Sequence, residues 1–476
     1  MVCFYIFSIL FGGRPKTVNA FFHQRNLYFN ITSLIASNFG LGLGLISALT
    51  FSHQFGALCF LFPLAMFLGQ GFFSRLITRL DPERWCKRGT ILSGLSDELD
   101  RAANREVHFQ EVASIFILVT LIMALCYELY VSSEWLCIAL LPTENPAGRA
   151  MVIAMLILIV MTYITTGGYR TTQITDCLQC AFALPFVGLV CYLLFSYTPQ
   201  PDFKLEATNQ WFPLPRGWIA TISFGTAVLS PFTTQIYSAL NQAFASHQGT
   251  NNEQRQLFLW ARIGGIILNW TIVFFALCCC YAGGEPKGVT EQWLTWKTNS
   301  ASLVIPFVTV AMVAMVLSTV DTLVMATAQS GFESYFHGDS RQEKGGRLTK
   351  LRFSLLLIYP LAFLIIITLL IVKPKILQLL YAMASPCEVL TPIIICLCFL
   401  ARENRLEVIL KPVVWKMRFI DFFYFLLAGT LVAAWVAILM GYQWSGIIGL
   451  TVFILSGALS YVVWLNRNWR LGAVVI

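Results

Sequence analysis

Charged residues are scarce in this chain, and their scarcity excludes a soluble protein. Asp, Glu, Lys and Arg make up 12% of the 476 residues, whereas about 25% is usual for a soluble domain. Hydrophobic residues make up 57%. Apolar stretches of roughly 18 to 25 residues recur along most of the chain, and each is long enough to cross a bilayer. The composition therefore predicts an all-α, polytopic membrane protein.

Residues that carry enzymatic or metal chemistry are few, or are badly placed for it. The five histidines all fall in predicted loops or at the ends of apolar stretches: His23, His53, His108, His247 and His337. They form no metal-ligand cluster and no nucleophile–base pair, so we expect no enzymatic activity. Most of the fourteen cysteines sit inside apolar runs, where they act as small apolar residues. Cys177 and Cys180 form a Cys-x-x-Cys pair without a second ligand pair, so no metal or redox role is expected.

Twelve membrane-spanning helices are predicted from the apolar stretches. They cover about residues 27–51, 54–78, 108–131, 149–166, 173–197, 216–241, 257–282, 301–332, 352–372, 375–400, 419–441 and 444–466. Residues 27–400 would form a ten-helix core, and residues 401–476 would add two C-terminal spans. Residues 1–26 would form a short apolar N-terminal segment and a cytoplasmic linker. The first 11 residues are too short to span and precede no cleavage site, so they suggest the remainder of a helix rather than a signal peptide.

The distribution of positive charge predicts the orientation. When the residues before the first span are placed in the cytoplasm, 25 of the 32 Lys and Arg residues fall on the cytoplasmic side, as the positive-inside rule requires. The C-terminus is then cytoplasmic as well, and the protein is expected in the cell inner or plasma membrane. The net charge of +8 predicts no nucleic-acid partner, because a cytoplasmic membrane face accounts for it.

The predicted eighth span carries a compact polar island in an apolar helix. Ser318, Asp321 and Thr322 are spaced three or four residues apart and share one helix face, with Thr319 beside them. A carboxylate and three hydroxyls at mid-membrane depth are costly unless something polar meets them, so the island predicts a functional site. All the donor atoms are oxygens, which suit a hard cation.

Two spans contain residues that interrupt or loosen a helix. The first has the alternate glycines Gly40, Gly42 and Gly44 shortly after the polar residues Ser37 and Asn38, and the sixth has Gly225 and Pro231. Interruptions at matching positions, five spans apart, are typical of inverted repeats whose binding site lies at the breaks. The alternative is that the glycines only allow helices to pack closely.

Three stretches form a recognisable set when they are taken together. They are Phe21-Phe22-His23-Gln24-Arg25-Asn26-Leu27 with Leu34-Ile35-Ala36-Ser37-Asn38, Gly167-Gly168-Tyr169-Arg170 with Thr175-Asp176-Cys177-Leu178-Gln179, and Leu317-Ser318-Thr319-Val320-Asp321-Thr322. In this order and spacing they resemble the sodium:solute symporters, the family of the proline, pantothenate, sialic acid and sodium–glucose transporters. The likeness covers nearly the whole chain. It implies a LeuT-type fold, a five-plus-five inverted repeat with one helix before the core and two after it.

The resemblance also implies where Na+ would bind. The main site would use the carbonyls of Ala36, Phe39 and Met315 with the hydroxyls of Ser318 and Thr319. A second site, present in some members, would fall on Asp176, Ser318, Asp321 and Thr322. For Asp176 the alternative is a carboxylate that is paired with Arg170 or reaches the membrane surface. Either Asp321 or Asp176 could instead carry a proton.

The solute is less well defined by the resemblance. Asn38 matches sugar-transporting members, but Leu43 stands where they carry a glutamine that contacts the sugar. Proline transporters carry an aspartate at the position of Asn38, so neither sugars nor proline are favoured. Buried polar or aromatic residues that could line a solute pocket are Asn38, Glu128, Phe224 and Glu388, with Tyr127, Tyr163 and Tyr237 as further aromatic residues. Inter-helix hydrogen bonding is the alternative for the two glutamates, and packing is the alternative for the aromatic residues.

The function that these expectations imply is sodium-coupled symport of a small organic solute into the cell by alternating access. The expected partners are Na+, the solute and the lipid bilayer. Two alternatives stay open from the sequence: a membrane protein that senses the solute without moving it, and a symporter coupled to protons.

Overall fold

The computed structural model describes residues 15–16, 21–22, 26–38, 40–79, 91–103, 109–141, 145–196, 218–237, 251–283, 304–335, 344–402, 412–414 and 417–418, and isolated positions between 429 and 458. These residues are almost entirely helical. The helices are α1 (Leu27–Ser37), α2 (Ser47–Phe55), α3 (Leu61–Arg79), α4 (Ile91–Ala103), α5 (Phe109–Leu140), α6 (Pro146–Ser196), α7 (Trp218–Thr233), α8 (Asn251–Gly283), α9 (Val304–Tyr335), α10 (Lys344–Val372) and α11 (Ile376–Arg402). Two short strands, β1 (Pro412–Val414) and β2 (Met417–Arg418), pair antiparallel.

The described helices include seven stretches long and apolar enough to cross a membrane. They are Gly56–Arg75, Phe109–Leu140, Pro146–Phe182, Arg255–Leu277, Pro306–Gly331, Leu348–Val372 and Gln378–Arg402, and the bent pair Leu27–Ala36 and Leu41–Ser52 brings the number to eight. The stretches coincide with predicted spans among the first ten, so the chain is a multi-pass, all-α membrane protein. The two predicted C-terminal spans lie largely outside the described residues.

One face of α10 shows the surface that such a protein offers to lipid. Leu357, Leu364 and Ile371 are seven residues apart and 55%, 65% and 76% exposed, respectively. That spacing places them in one row along the helix. A row of large exposed aliphatic side chains is stable in contact with acyl chains, so this face of α10 borders the bilayer.

The predicted break in the first span is present. Asn26 caps α1 by accepting the backbone N–H groups of Tyr28 and Phe29 at 3.0 and 3.2 Å. After Ser37 the chain leaves the α-helix, a π-helical segment runs from Leu41 to Ile46, and α2 continues from Ser47. The two halves meet at 49°. Glycine is needed here for close packing, since a Cβ on Gly40 would lie 2.7 Å from Thr319 Oγ1.

The predicted fourth and fifth spans meet at a glycine hinge. Together they form α6, whose helical conformation is interrupted at Gly168, with φ 64° and ψ −157°. This left-handed φ is disfavoured for residues with a side chain. A Cβ at Gly168 would also lie 2.8 Å from the carbonyl oxygen of Phe21. The Gly167-Gly168 pair thus changes the direction of the chain and packs against the fully buried Phe21.

The sixth span differs from the expectation in where it changes. Helix α7 continues through Gly225 and Pro231 and tightens into a 3-10 turn only at Thr234–Tyr237. A Cβ on Gly225 would meet no atom within 4 Å, so packing does not require a glycine there. Pro231 lacks a backbone N–H and cannot bond the carbonyl of Ala227, which loosens the helix without breaking it.

Helix α9 lies at the centre of the bundle. Its residues 311–321 are all buried, and it packs most extensively against α5 and α6. The end of α1 and the π-helical segment contact it from another side. The polar island of α9 is therefore enclosed by the break in the first span, α5 and α6.

Candidate functional site

The carboxylate of Asp176 joins three helices in the centre of the protein. Asp176 lies on α6 and is fully buried. Its Oδ1 accepts the hydroxyl of Ser318 on α9 at 2.6 Å, and its Oδ2 accepts the hydroxyl of Ser33 on α1. Arg170, by contrast, is exposed. The side chain of Asp176 therefore reaches the polar island of α9 rather than the membrane surface.

A second carboxylate, that of Asp321, lies in the same region. Its Oδ2 accepts hydrogen bonds from the Tyr163 hydroxyl at 2.7 Å and the Thr175 hydroxyl at 3.2 Å. Thr322 donates to Oδ1 at 3.4 Å. Tyr163 and Thr175 both belong to α6, on either side of the Gly168 hinge. Helix α6 thus contributes Asp176 and two donors to Asp321 at its contact with α9.

Thr319 faces the break in the first span. Its hydroxyl donates to the carbonyl of Met315, one turn earlier, at 3.3 Å. The Cβ position of Gly40 lies 2.7 Å from Thr319 Oγ1. Ala36 is buried one residue before the end of α1, whereas Phe39 lies outside the described residues. The two spans that the sodium-site prediction requires to be adjacent are in contact.

Glu128 of α5 holds the start of the second half of the broken span. Its carboxylate accepts the backbone N–H groups of Gly42 at 2.9 Å and Leu43 at 2.6 Å. The hydroxyl of Ser132 donates to the same carboxylate at 3.1 Å. Glu128 is fully buried. The first N–H groups of a helix have no partner within it, and its positive end favours an anion, so the carboxylate completes this half-helix.

Four acidic side chains are fully buried and have no ion-pair partner among the described residues: Glu128, Asp176, Asp321 and Glu388. Ion pairs between described residues, such as those of Arg101 with Glu98 and Arg149 with Glu134, lie elsewhere. Glu388 differs from the others, because both its oxygens also lack a hydrogen-bond partner there. Buried carboxyls in such surroundings are costly unless a cation or a proton neutralises them.

A cavity of about 330 Å³ opens beside the break in the first span. Asn38, Gly40, Leu43 and Thr319 line one side of it, together with Thr322. The rest of its wall is mostly apolar and includes residues of α3, α5, α7, α8 and α11. Polar residues in that wall are Ser47, Gln70, Thr120, Ser230, Thr234, Gln235, Asn269 and Tyr381. No Lys, Arg, Asp or Glu side chain is among the described lining residues.

The four predicted solute-contacting residues differ in whether they line this cavity. Asn38 lines it, and its amide also donates to the carbonyl of Leu34 at 2.7 Å. Phe224 does not line it but packs on Phe55, with ring centroids 4.9 Å apart. Glu128 lies behind the backbone of the break. Glu388 is outside the lining, although its neighbour Cys387 is part of it. Their role toward a solute stays a prediction.

Two of the tyrosines considered as solute-stacking residues are engaged elsewhere. Tyr163 donates to Asp321, and the hydroxyl of Tyr127 is hydrogen-bonded to that of Ser47 at 2.7 Å. Both are fully or nearly fully buried and neither lines the cavity. The side chain of Tyr237 lies outside the described residues.

Sequence reasoning missed the partners of the buried acids. Ser33, Tyr163 and Thr175 each donate to one of the two aspartates, and none was predicted to do so. A signal for the α6 residues was present, since Thr172, Thr175, Asp176 and Gln179 recur at helical spacing and share a face. All four are buried. A polar stripe in a membrane helix predicts contact with another polar element.

The three stretches that carried the family resemblance meet in the structure. Phe21 packs on Gly168, the Gln173 amide donates to Asn30, and the Ser33–Asp176–Ser318 chain continues the same interface toward the centre. These residues lie far apart in sequence. Their convergence on one interface gives the pattern a structural basis.

Comparisons with known proteins identify the fold but no sequence relative. No family model and no curated protein matches the sequence. A solved structure of a Na+-coupled sialic acid symporter, in a substrate-bound outward-open state, aligns over 98% of this chain and 95% of its own, with a TM-score of 0.69 and 13% identity. MhsT in complex with L-phenylalanine aligns over 93% and 99%, with a TM-score of 0.51 and 13% identity. At this identity the likeness shows the fold, and the predicted LeuT-type fold is confirmed.

Proposed function

We propose that this protein is a secondary active transporter that couples the entry of Na+ to the symport of a small organic solute. The observation that carries the proposal is the Ser33–Asp176–Ser318 chain, which links the broken span to α9 through a buried carboxylate. A fully buried anion at that junction favours a cation in the same place. The similarity in fold to Na+-coupled transporters supports the same reading.

The main Na+ site would lie between α1 and α9. The Ser318 hydroxyl donates its hydrogen to Asp176, and the Thr319 hydroxyl donates to Met315. The lone pairs of both oxygens therefore remain available to a cation. At the C-terminus of α1 the last carbonyls have no helical partner. The Asn38 side-chain amide donates to the carbonyl of Leu34, and its backbone N–H is directed at those of Ile35 and Ala36. A carbonyl oxygen has two lone pairs, so that of Ala36 is a proposed ligand, with those of Phe39 and Met315.

The second ion site is proposed at Asp176, Ser318, Asp321 and Thr322. The two aspartates bring a second negative charge to the site, and no Lys or Arg among the described residues pairs with either. A single Na+ neutralises one charge, so the other is satisfied by a second Na+ or by a proton. This pair is also the specific feature that favours the alternative of proton coupling.

Coupling would follow from the way Na+ holds the broken span. Na+ bound between α1 and α9 would stabilise the conformation in which the neighbouring cavity is ordered, and the solute would then bind with higher affinity. By thermodynamic linkage the solute would raise the affinity for Na+ by the same factor. A membrane potential of 100 mV and a tenfold Na+ gradient together supply about 3.7 kcal/mol per ion. One Na+ per neutral solute would then support accumulation of roughly a few hundred-fold.

Thermal unfolding of the purified protein in NaCl, compared with KCl at the same ionic strength, tests the ion site directly. Na+ should raise the unfolding temperature. Ser318→Ala and Thr319→Ala should shift the NaCl concentration for half of this effect upward by about tenfold or more, since each removes one ligand. Thr327→Ala is the matched control, because this buried hydroxyl of the same helix donates only to the carbonyl of Leu323, at 2.7 Å.

Two results would reject the proposed site. One is an unfolding temperature that does not distinguish NaCl from KCl. The other is a NaCl midpoint that changes as little in Ser318→Ala and Thr319→Ala as it does in Thr327→Ala. Uptake into proteoliposomes with an inward Na+ gradient then tests whether binding leads to transport. A protein that binds a solute in NaCl and moves none would be a sensor instead.

A further inference from the structure

The anion-binding end of the broken span is already occupied by the protein itself. The N–H groups of Gly42 and Leu43 begin the second half-helix, and both donate to the Glu128 carboxylate. Both carboxylate oxygens accept backbone hydrogen bonds, and Ser132 adds a third donor. Three donors directed at one carboxyl group satisfy its oxygens without a ligand.

This arrangement bears on the solute because of where broken helices place their charge. In transporters with discontinuous helices, the positive N-terminal ends of half-helices point at anionic groups of the substrate. Here that position is taken by a side chain that is fully buried. A Cβ on Gly42 would lie 3.0 Å from Glu128 Oε2 and 3.1 Å from the Glu128 carbonyl oxygen. No space is left on that side for a carboxylate of the solute.

The cavity offers no replacement for the lost anion site. No described residue of its lining carries a positive charge. The Glu128 carboxylate also lies close behind the wall, because its Oε2 is 3.2 Å from the Cβ position of Gly40, a lining residue. A carboxyl oxygen so close to the cavity disfavours the oxygens of a second carboxylate and favours a hydrogen-bond donor. The polar groups of the cavity wall are neutral amides, those of Gln70, Gln235 and Asn269 among them, and hydroxyls, in a mostly apolar surface.

We infer that the solute carries no carboxylate and is an uncharged or amine-bearing molecule with a largely apolar body. Glu128 takes the place that a substrate carboxylate would hold at the half-helix. The inference rests on the proposed transport function and adds the chemical class of the solute to it.

A panel of matched triplets tests the inference on the unmodified protein. Each triplet contains an amino acid, its primary amide and the amine left after removal of the carboxyl group, for example L-phenylalanine, L-phenylalaninamide and phenethylamine. Unfolding temperatures are measured against the concentration of each compound in NaCl and in KCl. The stabilising compounds should be amides or amines, and the matching amino acids should need at least tenfold higher concentrations. An amino acid that stabilises as well as its amide would overturn the inference.

Substitution of Glu128 provides the second readout. Glu128→Gln keeps the size of the side chain but replaces one carboxyl oxygen by an NH2 group that can only donate, so the preference for the amide over the amino acid should fall by at least threefold. Glu134→Gln is the matched control, because this glutamate on the same helix is 43% exposed and pairs with Arg149 at 3.6 Å. Its preference should equal that of the unmodified protein. An equal loss of preference in both variants would contradict the role of Glu128.

The two arms of the panel separate this inference from the proposed function. If amides and amines stabilise the protein equally in NaCl and KCl, Na+ coupling is refuted and the inferred solute class is still supported. Stabilisation by amino acids that depends on NaCl would keep the coupling and refute the solute class alone.

Discussion

The substitution Gly40→Ala adds one methyl group at the contact between the broken first span and α9, and so tests whether Na+ binds at that contact. Its φ of −76° is available to alanine, so Gly40→Ala introduces no backbone strain. The added Cβ would lie 2.7 Å from Thr319 Oγ1 and 3.2 Å from Glu128 Oε2. Ordinary contacts begin near 3.4 Å. The hydroxyl of Thr319 or the backbone at the break must therefore move by several tenths of an ångström.

The size of the effect on Na+ binding depends on how far the atoms around the new methyl group can move. Thr319 lies on a stretch of α9 in which every residue from 311 to 321 is buried. Overpacking a filled interior costs about 1–3 kcal/mol. If Gly40→Ala destabilises the Na+-bound conformation by this amount relative to the Na+-free one, the NaCl concentration for half-maximal stabilisation should rise roughly fivefold to 150-fold.

The control for Gly40→Ala is Gly225→Ala, on α7. A Cβ there meets no atom within 4 Å, so the NaCl midpoint should equal that of the unmodified protein. Both variants are compared by thermal unfolding across a NaCl series and by uptake into proteoliposomes once a solute is known. A Gly40→Ala protein that unfolds normally, with a NaCl midpoint within twofold of the Gly225→Ala value, would refute the placement of the ion beside Thr319.

A double-mutant cycle in KCl isolates the contact itself. Thr319→Ala removes both atoms of Thr319 that the new methyl group would meet, Oγ1 at 2.7 Å and Cγ2 at 3.4 Å. The destabilisation caused by Gly40→Ala should therefore be smaller in the Thr319→Ala background, with an interaction free energy of about 0.5–3 kcal/mol. Additive effects would show that the two residues do not touch.

Three further substitutions and one control test the buried acids through the stability of the folded protein. Ser33→Ala removes one hydroxyl donor from the buried carboxylate of Asp176 and should cost about 1.5–3 kcal/mol; no loss would mean that the two residues do not interact. Tyr163→Phe, which loses a hydrogen bond of 2.7 Å to the second buried aspartate, should cost a similar amount of about 1.5–3 kcal/mol. Tyr359→Phe is its control and should be neutral or stabilising, since that buried hydroxyl has no partner among the described residues. Glu388→Met should raise the unfolding temperature, because it replaces a fully buried carboxyl whose oxygens lack hydrogen bonds; a fall of several degrees would indicate a ligand or a proton held there.

Several features of this protein could be predicted from the sequence because they depend on local composition and spacing. Apolar stretches of bilayer length predicted the spans, and the structure places helices at the predicted first ten. The glycines at 40, 42 and 44 predicted the break in the first span. Asp321 and its neighbours predicted a polar centre on α9, since residues three and four apart share one helix face.

The partners of those polar residues could not be predicted in this way. Asp176 meets Ser33, 143 residues away, and Ser318, 142 residues away. Glu128 meets Gly42 across 86 residues. The family resemblance placed Asp176 and Ser318 in one site, but nothing in the sequence connects Asp176 with Ser33 or Glu128 with Gly42.

The sequence alone determined which segments enter the membrane, because transfer of a side chain from water to lipid depends mainly on that side chain and its near neighbours. The tertiary structure alone decided which buried charge meets which hydroxyl or backbone N–H. That choice depends on how the helices pack against one another. In a membrane a buried polar group must be satisfied by another part of the same protein or by a ligand, so packing decides where an ion and a solute are expected.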